Sequence, residues 1–499
     1  MPKQPHIIIF NPDQWRGDVM RHLGNPAAVT PNLDAIVESD AVSFRHAFCQ
    51  NPVCTPSRCS FMTGWYPHVR GHRTMFHMLQ PDEPVLLKQL KDAGYFVFWG
   101  GKNDLVPRQN GFADYCDVKY EADRPLRPNL HSADEWRGDP EGDNYYSFFA
   151  GKLTSTPLGP PDESGGSMTE DVYYDNDWAM VDGAIEQIRD ALDDQPLCIY
   201  LPLSYPHPPY GVEEPWFSQI DRELIPQRFS TPDWSTKPGL TAGIYQRQGL
   251  QGWSEERFNE LRAVYYGMCA RVDAQFGMVV DALKASGMYD DSAIFFFSDH
   301  GDFTGDYGLV EKTQNTFEDC LTRVPLIVKP PADQAIEPGI RDQLVELIDF
   351  TATAYEWSGV QPGYDHFGQS LSALIAGAAD EHRDAVFCEG GRLIGEEQAM
   401  EKDSPSFSDP SGLYWPRVQL QGSEGGEHSK ATMCRTRDYK YVRRLYEADE
   451  LYDLRQDPGE LQNRIDDPAC AGILAELRER MLTWYQTTCD VVPYKTDVR

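Results

Sequence analysis

The segment with the clearest chemical potential is a cysteine followed, at fixed spacing, by proline, serine and arginine. Cys54-Thr55-Pro56-Ser57-Arg58 is followed after four residues by Thr63-Gly64, which gives the pattern C-x-P-S-R-x4-T-G. A thiolate is both a nucleophile and a metal ligand, and a neighbouring arginine or metal ion lowers the pKa of the thiol. The other reading of the same residues is a buried cysteine followed by a helix that begins at Pro56-Ser57. The residues alone leave both readings open.

This pattern resembles the signature of the formylglycine-dependent sulfatases, which belong to the alkaline phosphatase superfamily. In that family a formylglycine-generating enzyme oxidises the cysteine to an aldehyde, and such an enzyme would be a partner of this chain. The resemblance implies that one hydroxyl of the aldehyde hydrate derived from Cys54 attacks sulfur. Loss of a proton from the second hydroxyl then expels sulfate. Arg58, one helical turn after Cys54, would hold the hydrate.

Acidic residues also follow two apolar runs that are typical of buried strands, at 6–10 and 292–297. A turn or capping role is the alternative reading for the first of them, Asp13. By resemblance, the two strand ends hold one divalent ion together with an oxygen of the modified residue 54. Oxygen ligands favour Ca²⁺, and an imidazole also makes Mn²⁺ suitable. The implied metal ligands are Asp13, Gln14, Cys54, Asp299 and His300.

Two of these positions differ from those of many sulfatases, which have adjacent aspartates at Asp13-Gln14 and asparagine at His300. The chain looks more like the choline-sulfatase and phosphonate monoester hydrolase branches. We therefore expect hydrolysis of a small organic sulfate ester. The alternative is a phosphonate monoester hydrolase or phosphodiesterase with the same nucleophile, or an enzyme that does both. A binding protein without turnover would leave Cys54 unmodified and bind no metal, and the complete T-G end of the motif argues against it.

Three basic side chains have expected roles by the same resemblance. His207, in S-Y-P-H-P-P-Y, resembles the family's P-H-x-P histidine and is the candidate general acid for the leaving group. Lys312, in G-L-V-E-K, and Lys102, in G-G-K-N-D, are candidate contacts of the sulfate oxygens. Read without the resemblance, each of the three is a loop or surface residue with no special role.

The segment Lys102-Asn103-Asp104 departs from the family, in which lysine is often followed two residues later by histidine. That histidine is often assigned the proton removal that releases sulfate. Asp104 is the candidate replacement, unless the base lies elsewhere, and Asn103 is a candidate substrate contact. Arg73 and Thr74, shortly after the cysteine motif, are candidate pocket residues for which a structural role is equally consistent.

The alternation of short apolar runs with amphipathic helical patterns over residues 1–375 predicts an α/β catalytic domain. The resemblance specifies a large, mixed, mostly parallel sheet flanked by helices, as in alkaline phosphatase. Ligands of such sheets bind beyond the carboxyl ends of the strands, where the candidate residues fall. Strands are predicted at 6–10, 95–99, 197–204, 292–297 and 324–329, and helices at 31–39, 84–93 and 254–285.

Residues 376–499 predict a smaller α+β domain, with short antiparallel strands at 385–389, 432–435 and 439–445 and a helix at 468–487. Motifs at 368–371 (G-Q-S-L) and 450–454 (E-L-Y-D-L) extend the resemblance over nearly the whole chain. The irregular, polar segments 119–170 and 205–252 predict lids, binding loops or subunit contacts. Because related enzymes are often oligomers, we expect a homo-oligomer.

The composition limits the partners. The 499 residues include 45 basic and 78 acidic side chains, for a net charge of −33, so neither nucleic acid nor an anionic membrane surface is an expected partner. A site for an anionic substrate must therefore contain cations that outweigh this negative charge locally. The eleven cysteines are scattered without a C-x-x-C pair, and no signal or membrane segment is visible. These features predict a soluble protein of a reducing cytoplasm.

Overall fold

The computed structural model describes residues 4–122, 149–153, 174–192, 194–409, 414–423, 425–496 and 498. Most of the irregular segment predicted at 119–170 lies outside the described residues. The strands within these ranges are β1 His6–Asn11, β2 Val42–Phe48, β3 Phe96–Gly100, β4 Val118–Tyr120, β5 Phe149–Lys152, β6 Leu197–Pro202, β7 Tyr210–Val212, β8 Ser292–Phe297, β9 Arg323–Val324, β10 Leu326–Lys329, β11 Gly339–Glu346, β12 Val386–Gly390, β13 Ala431–Arg435, β14 Tyr439–Arg444 and β15 Glu450–Asp453.

The helices begin and end close to the predicted positions where the sequence has clear start and stop signals. Ser254 caps the longest helix by accepting a hydrogen bond from the Arg257 amide, and two glutamates occupy the first turn. The α-helices in the described ranges are Pro31–Ser39, Cys54–Thr63, Pro67–Arg70, Leu86–Asp92, Asn176–Arg189, Trp216–Gln219, Gly239–Gln248, Glu255–Ala285, Asp319–Thr322, Ile348–Ser358, Ser372–Ile375, Trp415–Gln421 and Ala471–Thr488.

The main sheet confirms the predicted α/β class. Among the described residues it has nine strands in the order β11-β2-β10-β8-β1-β6-β3-β4, with β9 paired to β2. β1 is parallel to both β6 and β8, whereas β10 runs antiparallel to β8 and β2. The strand predicted at 324–329 is two strands, because Pro325 has no amide hydrogen to donate to a ladder.

The central strand β1 is buried on both faces of this sheet. Ile8 and Phe10 pack into one hydrophobic cluster with the long helix Glu255–Ala285, whereas Ile7 and Ile9 pack into a second cluster on the other face. Such burial explains why β1 and β8 are continuous apolar runs. The polar residues that follow β1 and β8, at the carboxyl ends of the strands, are not part of these hydrophobic clusters and can form a site.

The C-terminal part forms a second sheet, antiparallel in the order β12-β13-β14-β15, covered by the helix Ala471–Thr488. The Trp484 ring stacks on Phe387, with centroids 4.4 Å apart, and meets the Tyr66 ring edge-on at 4.8 Å. This cluster joins the second sheet to the segment that follows the cysteine motif. Along the described chain, every helix is too short or too polar to cross a lipid bilayer.

Candidate active site

Cys54 is the first residue of the helix Cys54–Thr63, and all ten residues of this helix are buried. The turn before it is fixed by Asn51, whose Oδ1 accepts from the Val53 amide at 3.0 Å and whose Nδ2 donates to the Glu389 carbonyl. Gly64 ends the helix in the left-handed region, at φ 73°. The segment is thus a buried helix start, and the Cys54 side chain lies in a polar cluster; its role in catalysis stays a prediction.

The Cys54 side chain lies among residues from the ends of β1 and β8. Its Sγ is 3.2 Å from His300 Nε2 and 3.5 Å from Asp13 Oδ1. One ligand atom from each of Asp13, Cys54, Asp299 and His300 lies within 4.8 Å of the other three, and all four residues are buried. Two carboxylates, a thiol and an imidazole this close together form a donor set that suits a divalent cation.

The orientation of His300 supports this reading. Its Nδ1 is 2.9 Å from the Gly301 carbonyl, so the ring donates there and Nε2 presents a lone pair to the cluster. Burial lowers the pKa of His300, which keeps the imidazole neutral as a metal ligand must be. The donor set therefore fits the predicted metal centre.

Arg58 holds the two carboxylates of the cluster together. Its guanidinium is fully buried and lies 2.8 Å from Asp299 Oδ2 and 3.1 Å from Asp13 Oδ2, and it also donates to Tyr200 Oη at 3.3 Å. Burial opposes the charge, but Asp299, Tyr200 and Asp13 raise the pKa of Arg58 well above its usual value. The cation thus balances part of the negative charge that two adjacent carboxylates bring.

The Cys54 thiol itself is poorly suited to nucleophilic attack. Burial and the neighbouring Asp13 raise its pKa well above the ordinary value, despite the attraction of Lys312 and Lys102. A helix N-terminus favours a thiolate, but here desolvation outweighs it.

Gln14 is brought beside the cluster, although its side chain is held by other partners. Its backbone has a φ of 71°, its Oε1 accepts from Lys312 Nζ at 2.6 Å, and its Nε2 donates to Asp302. Asp302 in turn accepts from Tyr210 Oη at 2.8 Å. The role of Gln14 as a metal ligand stays a prediction. Tyr210 and Asp302 orient Gln14, a role that the sequence did not predict for either residue.

Lys102 and Asp104 also reach the cluster. Lys102 Nζ lies 2.5 Å from Asp13 Oδ2 and 3.3 Å from Asp104 Oδ2. Burial disfavours the carboxylate of Asp13, but the charges of Lys102 and Arg58 lower its pKa well below the usual range. Asp13 is therefore ionised. Lys102 and Arg58 place positive charge around the carboxylates of the cluster. This agrees with the expectation that cations offset the net negative charge of the chain at its site.

His207 lies beside the same cations. Its Nδ1 donates to the Pro208 carbonyl at 2.6 Å, and Tyr414 Oη lies 3.2 Å from Nε2. Burial, Lys312 and Lys102 lower the pKa of His207 well below its normal value, so its imidazole is neutral here. A bound anion would oppose the two lysines and favour the protonated ring that a general acid needs.

The remaining predicted residues make other contacts. Asn103 uses both ends of its amide within its own loop, toward the Val106 carbonyl and amide. Arg73 donates to the Gly391 carbonyl and to Glu396, and Thr74 Oγ1 contacts His77. Their roles in substrate binding stay predictions, and these contacts favour structural roles for Asn103 and Arg73.

The cluster is a group of donors that could hold a metal ion at the end of a mostly parallel sheet, and comparison with known proteins identifies the class of the protein. The family model described as "Sulfatase" matches residues 5–360. The chain therefore belongs to the sulfatase family of enzymes, within the alkaline phosphatase superfamily.

Among its relatives, the choline-sulfatase of Rhizobium meliloti (strain 1021) is 25% identical over 478 residues, which cover 93% of this chain and 83% of that protein. The multifunctional alkaline phosphatase superfamily protein PehA of Trinickia caryophylli is 24% identical, over 97% and 96% of the two chains. The structure of the phosphonate monoester hydrolase of Agrobacterium radiobacter is similar with a TM-score of 0.73 and 21% identity, and the match covers 98% of this chain and 97% of that one.

Proposed function

We propose that the chain hydrolyses a small organic sulfate ester, with formylglycine derived from Cys54 as its nucleophile and one divalent ion, Ca²⁺ or Mn²⁺, in the site. The observation that carries this proposal is the convergence of Cys54 with Asp13, Asp299 and His300. Conversion by a formylglycine-generating enzyme would replace the Cys54 thiol with an aldehyde hydrate.

The residues of the chain have distinct tasks in this reaction. One hydroxyl of the hydrate would attack sulfur and displace the ester alcohol; the second would then lose its proton and form the aldehyde C=O as the C–O bond to sulfate breaks. Lys102 and Lys312 lie where they can neutralise sulfate oxygens, and Arg58 fixes Asp13 and Asp299 in place. His207 would donate a proton from Nε2 to the leaving oxygen.

The ion would be held by Asp13, Asp299, His300 and residue 54, with Gln14 adjacent, and would supply positive charge beside the reacting group. Release of sulfate requires a base near the second hydroxyl. Asp104, beside Lys102, is our proposal for that role.

Phosphonate monoester or phosphodiester hydrolysis is the second candidate. The Asp13-Gln14 and Asp299-His300 pairs and the Lys102-Asn103-Asp104 segment favour it over a typical arylsulfatase. The similarity of fold to a phosphonate monoester hydrolase agrees with this choice. A site that recognises a tetrahedral anion can accept either central atom.

One experiment tests the nucleophile and a second tests the substrate class. The chain is co-expressed with a formylglycine-generating enzyme, and the peptide that carries residue 54 is weighed. We expect the aldehyde mass in place of the thiol, and we expect Cys54→Ala to be inactive. Full activity of Cys54→Ala would refute the mechanism. The rates with an aryl sulfate, a phenyl phosphonate and a phosphodiester then decide between the two candidates.

A further inference from the structure

The short helix Trp415–Gln421 brings two side chains next to the catalytic residues. Tyr414, directly before the helix, places its hydroxyl 3.2 Å from His207 Nε2, and Lys312 Nζ lies 5.8 Å from the centre of its ring. The guanidinium carbon of Arg417 is 5.2 Å from the same centre. Tyr414 thus contacts the candidate general acid through its hydroxyl and lies beside a further cation.

Arg417 is buried with few hydrogen-bond acceptors, although Glu401 and Glu311 attract its charge and raise its pKa against the effect of burial. The residue is 5% exposed, and its Nε and Nη1 make no hydrogen bond to any part of the chain that the structure describes. Its ion pair with Glu401 is long, at 3.7 Å from Nη1 to Oε2. The other oxygen of Glu401 already accepts from the Met75 amide and from Gln314 Nε2. A guanidinium offers five donors, and burying it with so few acceptors is costly unless a ligand completes them.

Two other unpartnered polar atoms lie close to Arg417. Gln421 follows one helical turn later on the same face, and its Oε1 is buried without a hydrogen-bond partner in the described ranges. His428, whose pKa is lowered to about 3 by burial and by the charges of Arg392 and Arg417, has an unpartnered Nδ1 in the same ranges. Both residues are tied at their other end to Gln314. Several unsatisfied groups at one place are typical of a binding site for a polar ligand.

We propose that Arg417, with Tyr414 beside it, forms a second anion subsite that binds an oxyanion on the alcohol part of the substrate. The proposal rests on the proposed sulfate ester hydrolysis, because it assigns the reacting sulfate to the lysines and the second oxyanion to Arg417. Arg417 attracts that group in a chain of net charge −33, where an additional negative charge on the substrate would otherwise be repelled. The substrate class is then a sulfate ester of an alcohol that carries a carboxylate or a sulfonate.

The test compares esters that differ in charge and little in shape. The wild-type enzyme is assayed with 3-carboxyphenyl sulfate and with its neutral counterpart 3-carbamoylphenyl sulfate, and 3-sulfophenyl sulfate distinguishes a sulfonate from a carboxylate. We expect kcat/KM for one charged ester to exceed that for the neutral ester by about 10- to 100-fold, the range of a hydrogen bond to a charged group. In Arg417→Met we expect this ratio to fall to about one or below. Arg417→Lys keeps the positive charge but loses the paired donors of the guanidinium, so we expect an intermediate ratio.

Arg247→Met is the matched control. Arg247 also packs on this helix, through Gln419 Oε1 at 3.0 Å and the Trp415 ring, and we expect its replacement to leave the ratio of the wild-type enzyme unchanged. A wild-type ratio of one for both charged esters, or an unchanged ratio in Arg417→Met and Arg417→Lys, would overturn the subsite alone. Failure of the modified, metal-loaded wild-type enzyme to hydrolyse any of the sulfate esters would overturn the proposed function and the subsite with it.

Discussion

At the scale of single residues, the site is a balance of charges, and Lys102 is its most exposed cation. Lys102 Nζ contacts Asp13 Oδ2 and lies near Asp104, with about a quarter of the side chain accessible. Lys102→Met removes a donor from the position where a sulfate oxygen would bind. We expect kcat/KM for an aryl sulfate to fall by about 100- to 1000-fold, the usual cost of losing one oxyanion contact.

The control for this substitution is Lys88→Met, which removes a surface lysine paired with Asp92 at 3.2 Å. Its kcat/KM should equal that of the wild-type enzyme. Steady-state kinetics with both variants at one salt concentration make the comparison. A loss of less than about tenfold in Lys102→Met would show that Lys102 orders Asp13 without touching the substrate.

Asp104 allows a test that separates the two halves of the reaction. Asp104→Asn keeps the size of the side chain and removes the carboxylate that would accept a proton. We expect a rapid burst of alcohol equal to the amount of enzyme, followed by slow turnover, because release of sulfate is then the slow step.

Rapid-mixing kinetics with a chromogenic sulfate would record this burst. An equal slowing of the burst and of the turnover would instead show that Asp104 acts only through its contact with Lys102. The base would then lie elsewhere.

At the scale of elements, the loop after β8 depends on a glycine. A Cβ added to Gly301 would lie 2.0 Å from the Cys320 carbonyl oxygen, and the Gly301 amide donates to the Leu321 carbonyl at 2.7 Å. Gly301→Ala must therefore displace the backbone next to Asp299 and His300. We expect a loss of about 1–3 kcal/mol in the free energy of unfolding, the usual range for overpacking, together with a weaker affinity for the divalent ion.

Gly472→Ala is the control for this prediction. Gly472 lies in the C-terminal helix with open space around its added Cβ, so alanine should stabilise the protein by roughly 0.5–1 kcal/mol. Urea unfolding and calorimetric titration of the ion measure both effects. Unchanged metal affinity in Gly301→Ala would mean that the loop shifts without moving the ligands.

Some of the strands and helices could be predicted from the sequence and others could not. β8 was predicted with its observed ends because Ser292–Phe297 is a continuous apolar run, and the long helix because Ser254 and two glutamates mark its start. β2 and β11 were missed, because V-S-F-R-H-A-F and G-I-R-D-Q-L-V-E mix polar and apolar residues without a clean period. Their strand character comes from pairing with each other in the sheet.

The residues of the candidate site also include some that could be predicted from the sequence and some that could not. Residues on motifs at strand ends could be predicted to converge, since parallel strands bring their carboxyl ends to one edge. Tyr414 and Arg417 could not, because their helical segment is short and lies more than 100 residues after Lys312, the last candidate site residue of the sequence. Only the folded chain brings it beside His207.

At the scale of the whole molecule, the predicted division into residues 1–375 and 376–499 remains a proposal, and a buried ion network crosses it. Arg383 lies 3.1 Å from Glu346 and donates to Asp349 at 2.9 Å, and His382 contacts Asp349 as well. Asp349 is fully buried, yet Arg383 and His382 outweigh that burial and lower its pKa. The two parts are therefore joined by charge as well as by the aromatic cluster around Trp484.

This network predicts a pH-dependent loss of stability in Arg383→Met. Removing the cation leaves Glu346 and Asp349 buried without it, which should reduce the free energy of unfolding by about 3–5 kcal/mol at about pH 7. In the wild-type protein the depressed pKa of Asp349 adds stability above its unfolded pKa, and this is lost as the pH falls. In the variant, uncompensated burial raises that pKa, so protonation relieves the penalty as the pH falls.

The difference between the two proteins should therefore shrink between about pH 7 and about pH 4.5, and urea unfolding at both values measures it. Arg480→Met, which removes an arginine paired with the exposed carboxylates of Asp384 and Glu476, should show no such pH-dependent difference. A difference that stays constant over this range would mean that Arg383 acts through packing alone. The junction between the two parts would then depend on shape, and the charges across it would contribute nothing to holding them together.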